Sequence, residues 1–315
     1  MTRKARNAPL AALVTGVAFA AALMLGASGA AAQDKVKVGS KIDSEGALLG
    51  NMIVLVLENL GVPVENRLSL GPTKIVRTAL TAGEIDVYPE YTGNGAFFFQ
   101  MENDPAFKAG KSAYETVKKL DREKNNLVWL DPAPANNTWA IAVRQDFATA
   151  EKLESMADFA KVAGAGKVKL AASAEFVESA AALPSFEKTY GFTMPRDNVV
   201  VLPGGDTAVT MRAAAQQVGG VNSAMVYGTD GAISALDLKV MTDTKGAQIV
   251  YEPAAVIRAP VLEKHPAIRP ALSKVFTSLT LEDLQRLNAQ IAVEGRQARD
   301  VAKGYLDQKG LLSKS

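Results

Sequence analysis

The sequence predicts an α/β protein built as two lobes, and three observations carry that expectation. Short strands alternate with helices over the first third of the chain after residue 33. The same rhythm recurs in the middle third. Two further strand-like segments, Thr138 to Arg144 and Gln248 to Tyr251, have no helical partner of their own and stand where the chain would pass between the lobes.

The elements follow in order. Val36 to Lys41 alternates as a short strand that stops at Gly39. Ser44 is placed to cap a helix from about Ala47 to Leu60, whose Leu48, Leu49, Met52, Ile53, Leu55 and Val56 give it an apolar face and which Gly61 and Pro63 end. Val64 to Leu70 reads as a strand, Thr73 to Ala82 as a helix closed by Gly83, and Glu84 to Tyr88 as a third strand. The middle third repeats this. Val168 to Ala171 is a strand and Leu183 to Tyr190 a helix closed by Gly191. Asn198 to Leu202 is a strand, Asp206 caps a helix through Ala214, and Ala224 to Tyr227 is a strand before Gly228-Thr229-Asp230-Gly231. From Pro266 to Leu312 the chain is almost wholly helical.

The economical arrangement is a first lobe from both ends of the chain, residues 33–141 and 248–315, with a second lobe, 142–247, inserted. The two partnerless segments would then be crossing strands that act as a hinge. Two tandem α/β domains are the alternative. Inter-lobe clefts are favoured ligand sites, with binding groups at strand ends and helix N-termini.

Composition narrows the function. The chain has 315 residues, a formal charge of +2, one His and no Cys, and a pI near 8.6. The positive charge is concentrated at the N-terminus, where Arg3, Lys4 and Arg6 precede an Ala/Leu/Val-rich run to Leu25 and a small-residue exit at Ala30-Ala31-Ala32. This is the three-part pattern of a secretory signal peptide over residues 1–32, cleaved near Ala32/Gln33. Its removal leaves 32 basic against 33 acidic residues, so the exported chain is close to neutral and carries no basic patch for nucleic acid. Without Cys there is no thiol chemistry, no thiolate metal site and no lipid anchor; the expected location is a periplasm, free of the membrane.

The residues of catalysis are missing. A single His and the lack of an Asp-rich loop leave no metal set and no nucleophile–base pair. Gly204-Gly205-Asp206-Thr207 fits neither phosphate-loop nor dinucleotide spacing, though its backbone could face an anion. What stands out is the placing of aromatics, only 6% of the chain. Tyr88, Tyr91, Trp139, Tyr227 and Tyr251 fall at strand ends or in the presumed hinge strands, and core packing is the plain reading of each alone. Together in one cleft they would suit a quaternary ammonium ion, each ring contributing about 0.5–2 kcal/mol. Phe97-Phe98-Phe99 reads as buried helix or wall, with no ligand role.

Five segments carry a resemblance. Val38-Gly39-Ser40-Lys41, Leu49-Gly50-Asn51-Met52, Gly83 to Gly93 with its Tyr88-Pro89-Glu90-Tyr91-Thr92-Gly93, Asn136-Asn137-Thr138-Trp139-Ala140 and Tyr227-Gly228-Thr229-Asp230-Gly231 occur in that order. They resemble the glycine betaine/choline-binding proteins of osmoprotectant ABC importers over essentially the whole exported chain. The resemblance implies a two-lobed periplasmic-binding-protein fold, type II-like, with two Rossmann-like lobes. It implies an aromatic cage of Tyr91, Trp139, Tyr227 and Tyr251 around a trimethylammonium head, with Trp139 where relatives usually carry Tyr. The backbone carbonyl of Asn137 would approach the cation, and Lys41 and Asn94 would meet a ligand carboxylate.

It further implies a monomeric receptor that needs no cofactor, metal or catalysis and delivers its ligand to the membrane subunit of an ABC permease. A sensor that delivers its ligand to a receptor protein, a receptor for other amino-acid-like ligands and an enzyme on a two-lobed fold are the rivals. One departure stands out. Relatives often carry an Arg in the second lobe where this chain has Ser179, within Glu175-Phe176-Val177-Glu178-Ser179, so no bidentate clamp on a carboxylate is available there. Its loss would weaken carboxylate binding by about 1.5–3 kcal/mol, or leave a ligand without a carboxylate as the better fit.

Overall fold

A computed structural model of the chain describes residues 35–202 and 207–312. The expected signal peptide and the Gly204-Gly205-Asp206 turn, with the cap expected at Asp206, lie outside the described residues. Ten strands are described: β1 (Val36–Lys41), β2 (Val64–Gly71), β3 (Val87–Tyr91), β4 (Leu127–Trp129), β5 (Trp139–Arg144), β6 (Leu170–Ser173), β7 (Val199–Leu202), β8 (Ser223–Tyr227), β9 (Leu238–Val240) and β10 (Pro253–Arg258). They form two five-stranded sheets, ordered β2-β1-β3-β10-β4 and β7-β6-β8-β5-β9.

The two sheets share one plan. In the first, β1 runs parallel to β2 and β3, and β10 lies antiparallel between β3 and β4. In the second, β6 runs parallel to β7 and β8, and β5 lies antiparallel between β8 and β9. Each antiparallel strand is the first one the chain makes after arriving from the other sheet. The N-terminal ends of β5 and β10 therefore sit beside the C-terminal ends of their parallel neighbours, where ligands of α/β sheets are held.

The two segments expected to be crossing strands differ from that reading. Trp139–Arg144 is not a hinge strand; both of its edges are paired, with β8 and β9, which places all of it in the second sheet. Gln248 to Tyr251 is no strand, because its amides are spent elsewhere: Gln248 N donates to Asp243 Oδ2, Val250 N to Phe107 O and Tyr251 N to Asn136 Oδ1. The chain crosses over 130–138 and 241–252. The crossings run side by side, joined by Asn137 N to Tyr251 O at 2.9 Å and Thr138 Oγ1 to Ile249 O at 2.7 Å.

The helix Ser44–Asn59 anchors the first sheet. Asp43, rather than Ser44, supplies its cap, accepting the Gly46 amide at 2.7 Å. Leu48, Leu49, Met52, Ile53 and Val56 are buried in one core with Val38 and Val87 of the sheet and Leu284, Leu287, Val301 and Leu306 of the helices Leu281–Ala292 and Ala298–Gln308. Burial on both sides explains why this helix is apolar nearly all round.

The helix Leu281–Ala292 also meets the loop after β8. Gln285 Nε2 donates to Gly228 O at 2.8 Å, and Asn288 Nδ2 to Thr229 O at 2.9 Å. Gly231 lies so close that a Cβ there would enter the backbone of Asn288 and Ala289. Gly231→Val is expected to cost about 1–3 kcal/mol by forcing loop and helix apart. Urea unfolding of the variant beside the parent checks this; equal midpoints would show that the contact yields freely.

Candidate functional site

All seven residues expected to bind ligand, Lys41, Tyr91, Asn94, Asn137, Trp139, Tyr227 and Tyr251, line one cleft of about 1120 Å³. Strand register brings the rings together. Trp139 at the start of β5 is the partner of Tyr227 at the end of β8, and the two rings stack with centroids 6.4 Å apart and planes 23° from parallel. Phe176 meets the Trp139 ring edge-on at 6.2 Å and fixes it from the core side. In the first sheet, Tyr91 at the end of β3 pairs with Pro253 at the start of β10, and Tyr251 lies two residues earlier. The Tyr251 ring packs on Gly93, where an added Cβ would sit 2.6 Å from a ring carbon. Burial raises the pKa of Tyr91, Tyr227 and Tyr251, so all three remain neutral phenols at physiological pH.

The polar groups expected to receive a carboxylate are already engaged. Glu90, fully buried, accepts Lys41 Nζ, Asn94 Nδ2 and the Tyr91 amide on Oε1, each at 2.7 Å, and the Tyr88 hydroxyl on Oε2 at 2.6 Å. Lys41 also sits over one face of the Tyr91 ring, 4.3 Å from its centroid. Arg77 lines the cleft too but is held by both carboxylate oxygens of Asp121 and lies over the Phe98 ring. Ser179 is not part of the cleft wall; its hydroxyl accepts the Ala181 amide at 3.3 Å.

Glu45 occupies a different kind of place. It stands in the first turn of the helix Ser44–Asn59, 5% exposed, and lines the cleft. Its Oε1 accepts the Tyr91 hydroxyl at 2.7 Å and Asn137 Nδ2 at 3.1 Å, and its Oε2 accepts Asn288 Nδ2 at 2.6 Å. Burial raises its pKa, while hydrogen bonds from Thr229, Tyr91 and Asn288 pull the other way. With both amides turned toward Glu45, the buried Oδ1 atoms of Asn137 and Asn288 have no donor.

Sequence reading missed Glu45, Phe97, Phe98, Asn288 and Arg212 as cleft residues. Phe97, expected in the wall, is 45% exposed in the cleft. Arg212 follows the cleft-lining Met211 on the helix Thr207–Ala215 and is exposed. The Glu45 partners come from residues scattered along the chain, and no local pattern marks them.

The match to known proteins runs the length of the cleft-bearing region. The family described as the substrate binding domain of the ABC-type glycine betaine transport system matches residues 34–308. The chain belongs to that family. It is 59% identical over 280 residues to the glycine betaine-binding protein YehZ of Escherichia coli K12, covering 89% of this chain and 92% of that one. It is 28% identical to a glycine-betaine-binding protein of Pseudomonas aeruginosa, covering 91% of each. The solved structure of apo YehZ superposes with a TM-score of 0.80 at 58% identity, over 88% of this chain and 99% of that one. The two-lobed fold is thus that of the family's binding proteins, and the family's role is substrate binding for a transporter rather than catalysis. Among the described residues no helix is long and apolar enough to cross a membrane, and no group of His, Cys, Asp and Glu could hold a metal.

Two measurements follow from the buried charges. Lys41→Met leaves Glu90 buried without its cation and is expected to cost about 3–5 kcal/mol, read by denaturant unfolding. Adding Glu90→Gln should recover part of that loss. The raised pKa of Glu45 sets a sign for pH. The folded state holds a proton that the unfolded chain has lost, so unfolding free energy falls as pH rises from the ordinary value of 4.5 toward the raised one. A tenfold difference in proton affinity between the two states is worth about 1.4 kcal/mol. The stability difference between wild type and Glu45→Gln should therefore decline over that window, and a difference that is flat or rises with pH contradicts the assignment.

Proposed function

We propose that the chain is an exported receptor that closes on a small quaternary ammonium compound, such as glycine betaine or choline, and delivers it to an ABC permease. The observation that carries this is the convergence of Tyr91, Trp139, Tyr227 and Tyr251 on one cleft. A trimethylammonium head has no N–H to donate and spreads its charge over methyl groups, so π faces suit it better than hydrogen-bond acceptors. The likeness to glycine betaine-binding proteins of Escherichia coli and Pseudomonas aeruginosa supports the same ligand class.

In this reading the two sheets are the cores of two lobes, hinged at the paired crossings 130–138 and 241–252. Trp139 and Tyr227 come from the second lobe, Tyr91 from the first, and Tyr251 from a crossing. Closure brings them around the onium head. A betaine tail is met by the N–H groups of Lys41 Nζ and Asn94 Nδ2 that Glu90 does not use, or by exchange of Glu90 for the ligand. The leader of residues 1–32 directs the receptor to the periplasm and is removed near Ala32, and the mature protein acts as a soluble monomer beside its membrane partner.

Calorimetric titration of the mature protein with glycine betaine, choline and proline betaine tests the ligand class. Saturable binding to at least one is expected, and silence toward all three at millimolar concentration rejects it. Trp139→Ala removes one ring and its stack on Tyr227 and should weaken onium binding by about tenfold or more, since each ring contributes up to about 2 kcal/mol. Unaltered affinity would remove Trp139 from the cage.

A further inference from the structure

Four carboxylates or cations inside the cleft region form closed pairs. Lys41, 7% exposed, is bound to Glu90, and Arg77, 9% exposed, is bound to Asp121. Glu45, 5% exposed, is different: among the described residues it has hydrogen-bond donors around it but no ion pair. Asp43, Lys74, Glu175 and Arg212 also line the cleft, but they are exposed, where water and salt screen them; Asp230, half-buried, accepts the Tyr227 amide at 2.7 Å. Glu45 is therefore the buried carboxyl of the site without an ion pair: burial alone disfavours its charged form, and a cation seated beside it would favour the carboxylate. Resting on the functional reading above, we propose that Glu45 is the specificity-determining counter-charge of the site, making the cage select a cationic head over an uncharged group of the same shape.

The geometry favours this over a purely structural role. Every partner of Glu45 can donate, so the set is complementary to a carboxylate, which only accepts. One partner is the hydroxyl of Tyr91, so the charge lies at the rim of a ring proposed to face the ligand. The amides of Asn137 and Asn288 give their N–H groups to Glu45 and leave two buried acceptor oxygens without donors in residues that line the cleft. A cationic head also answers the problem set by Lys41, whose ammonium lies over Tyr91 and would repel an onium if Glu90 alone balanced the deep charge. With Glu45 ionised beside a bound cation, the trio of Lys41, Glu90 and Glu45 sums to one negative charge.

The test compares choline with 3,3-dimethyl-1-butanol, its uncharged carbon isostere, by calorimetry or competition, on wild type, Glu45→Gln and Glu45→Asp. Glu45→Gln is expected to reduce the preference for choline over the isostere by about tenfold or more, the effect of deleting a nearby charge at low dielectric. Glu45→Asp keeps the charge and should keep the preference, whatever it does to absolute affinity. Equal losses for both ligands in Glu45→Gln, or an unchanged ratio, would overturn the inference and leave Glu45 as a packing residue. Should Glu45→Gln not fold, a collapse of the ratio in Glu45→Asp overturns it instead. Wild-type protein that binds no onium at all overturns the functional reading first, and this inference with it.

Discussion

A carboxylate buried without a cation is costly, and the structure is organised around meeting that cost at Glu45 with hydrogen bonds. Its partners come from four places: Tyr91 at the end of β3, Asn137 on the first crossing, Asn288 on the helix Leu281–Ala292, and Thr229 in the loop after β8. Satisfying one side chain thus ties the first sheet, a crossing, the C-terminal helices and the second sheet to a single point. Removing any one partner takes a hydrogen bond from this buried carboxyl, at about 1–3 kcal/mol each. The constraint fixes the Tyr91 ring and the height of the Thr229 loop at the cleft floor.

The shared plan of the two sheets explains why such a point exists. Each sheet takes its antiparallel strand from the segment that has just crossed, so the crossings end where the parallel strands end. Trp139 and Tyr251 arrive at the cleft for this reason, and register sets Trp139 beside Tyr227. Glycines then allow close approach where side chains would block it. Gly93 leaves room for the Tyr251 ring, and Gly231 lets the loop touch the helix backbone. The glycines and the rings are two parts of one packing solution.

Much of this is legible in the sequence, and the limits have physical causes. The helices Thr73–Ala82 and Leu183–Tyr190 are expected at those same bounds, because Gly83 and Gly191 end them in the left-handed conformation. The cage aromatics are visible as rings at strand ends. β10 is not; it opens on a proline and two alanines, which do not alternate. Trp139–Arg144 reads as a strand, but its sheet is hidden, since its pairing partners lie far along the chain and leave no local mark. Glu45 is invisible for the same reason, with hydrogen-bonded partners 46, 92 and 243 residues away. The pairing of Lys41 with Glu90, 49 residues on, likewise leaves no local mark.

The central claim is that the stacked Trp139 and Tyr227 close on an onium head. The chain has only two tryptophans, and Trp129 is fully buried with its indole N–H given to Asp121, so Trp139 is the one placed to sense the cleft. Intrinsic fluorescence of the mature protein titrated with choline and glycine betaine is the most direct measurement. A saturable change that disappears in Tyr227→Ala is the expected result. Emission that stays constant to millimolar ligand, or a change that persists undiminished without Tyr227, would contradict the account.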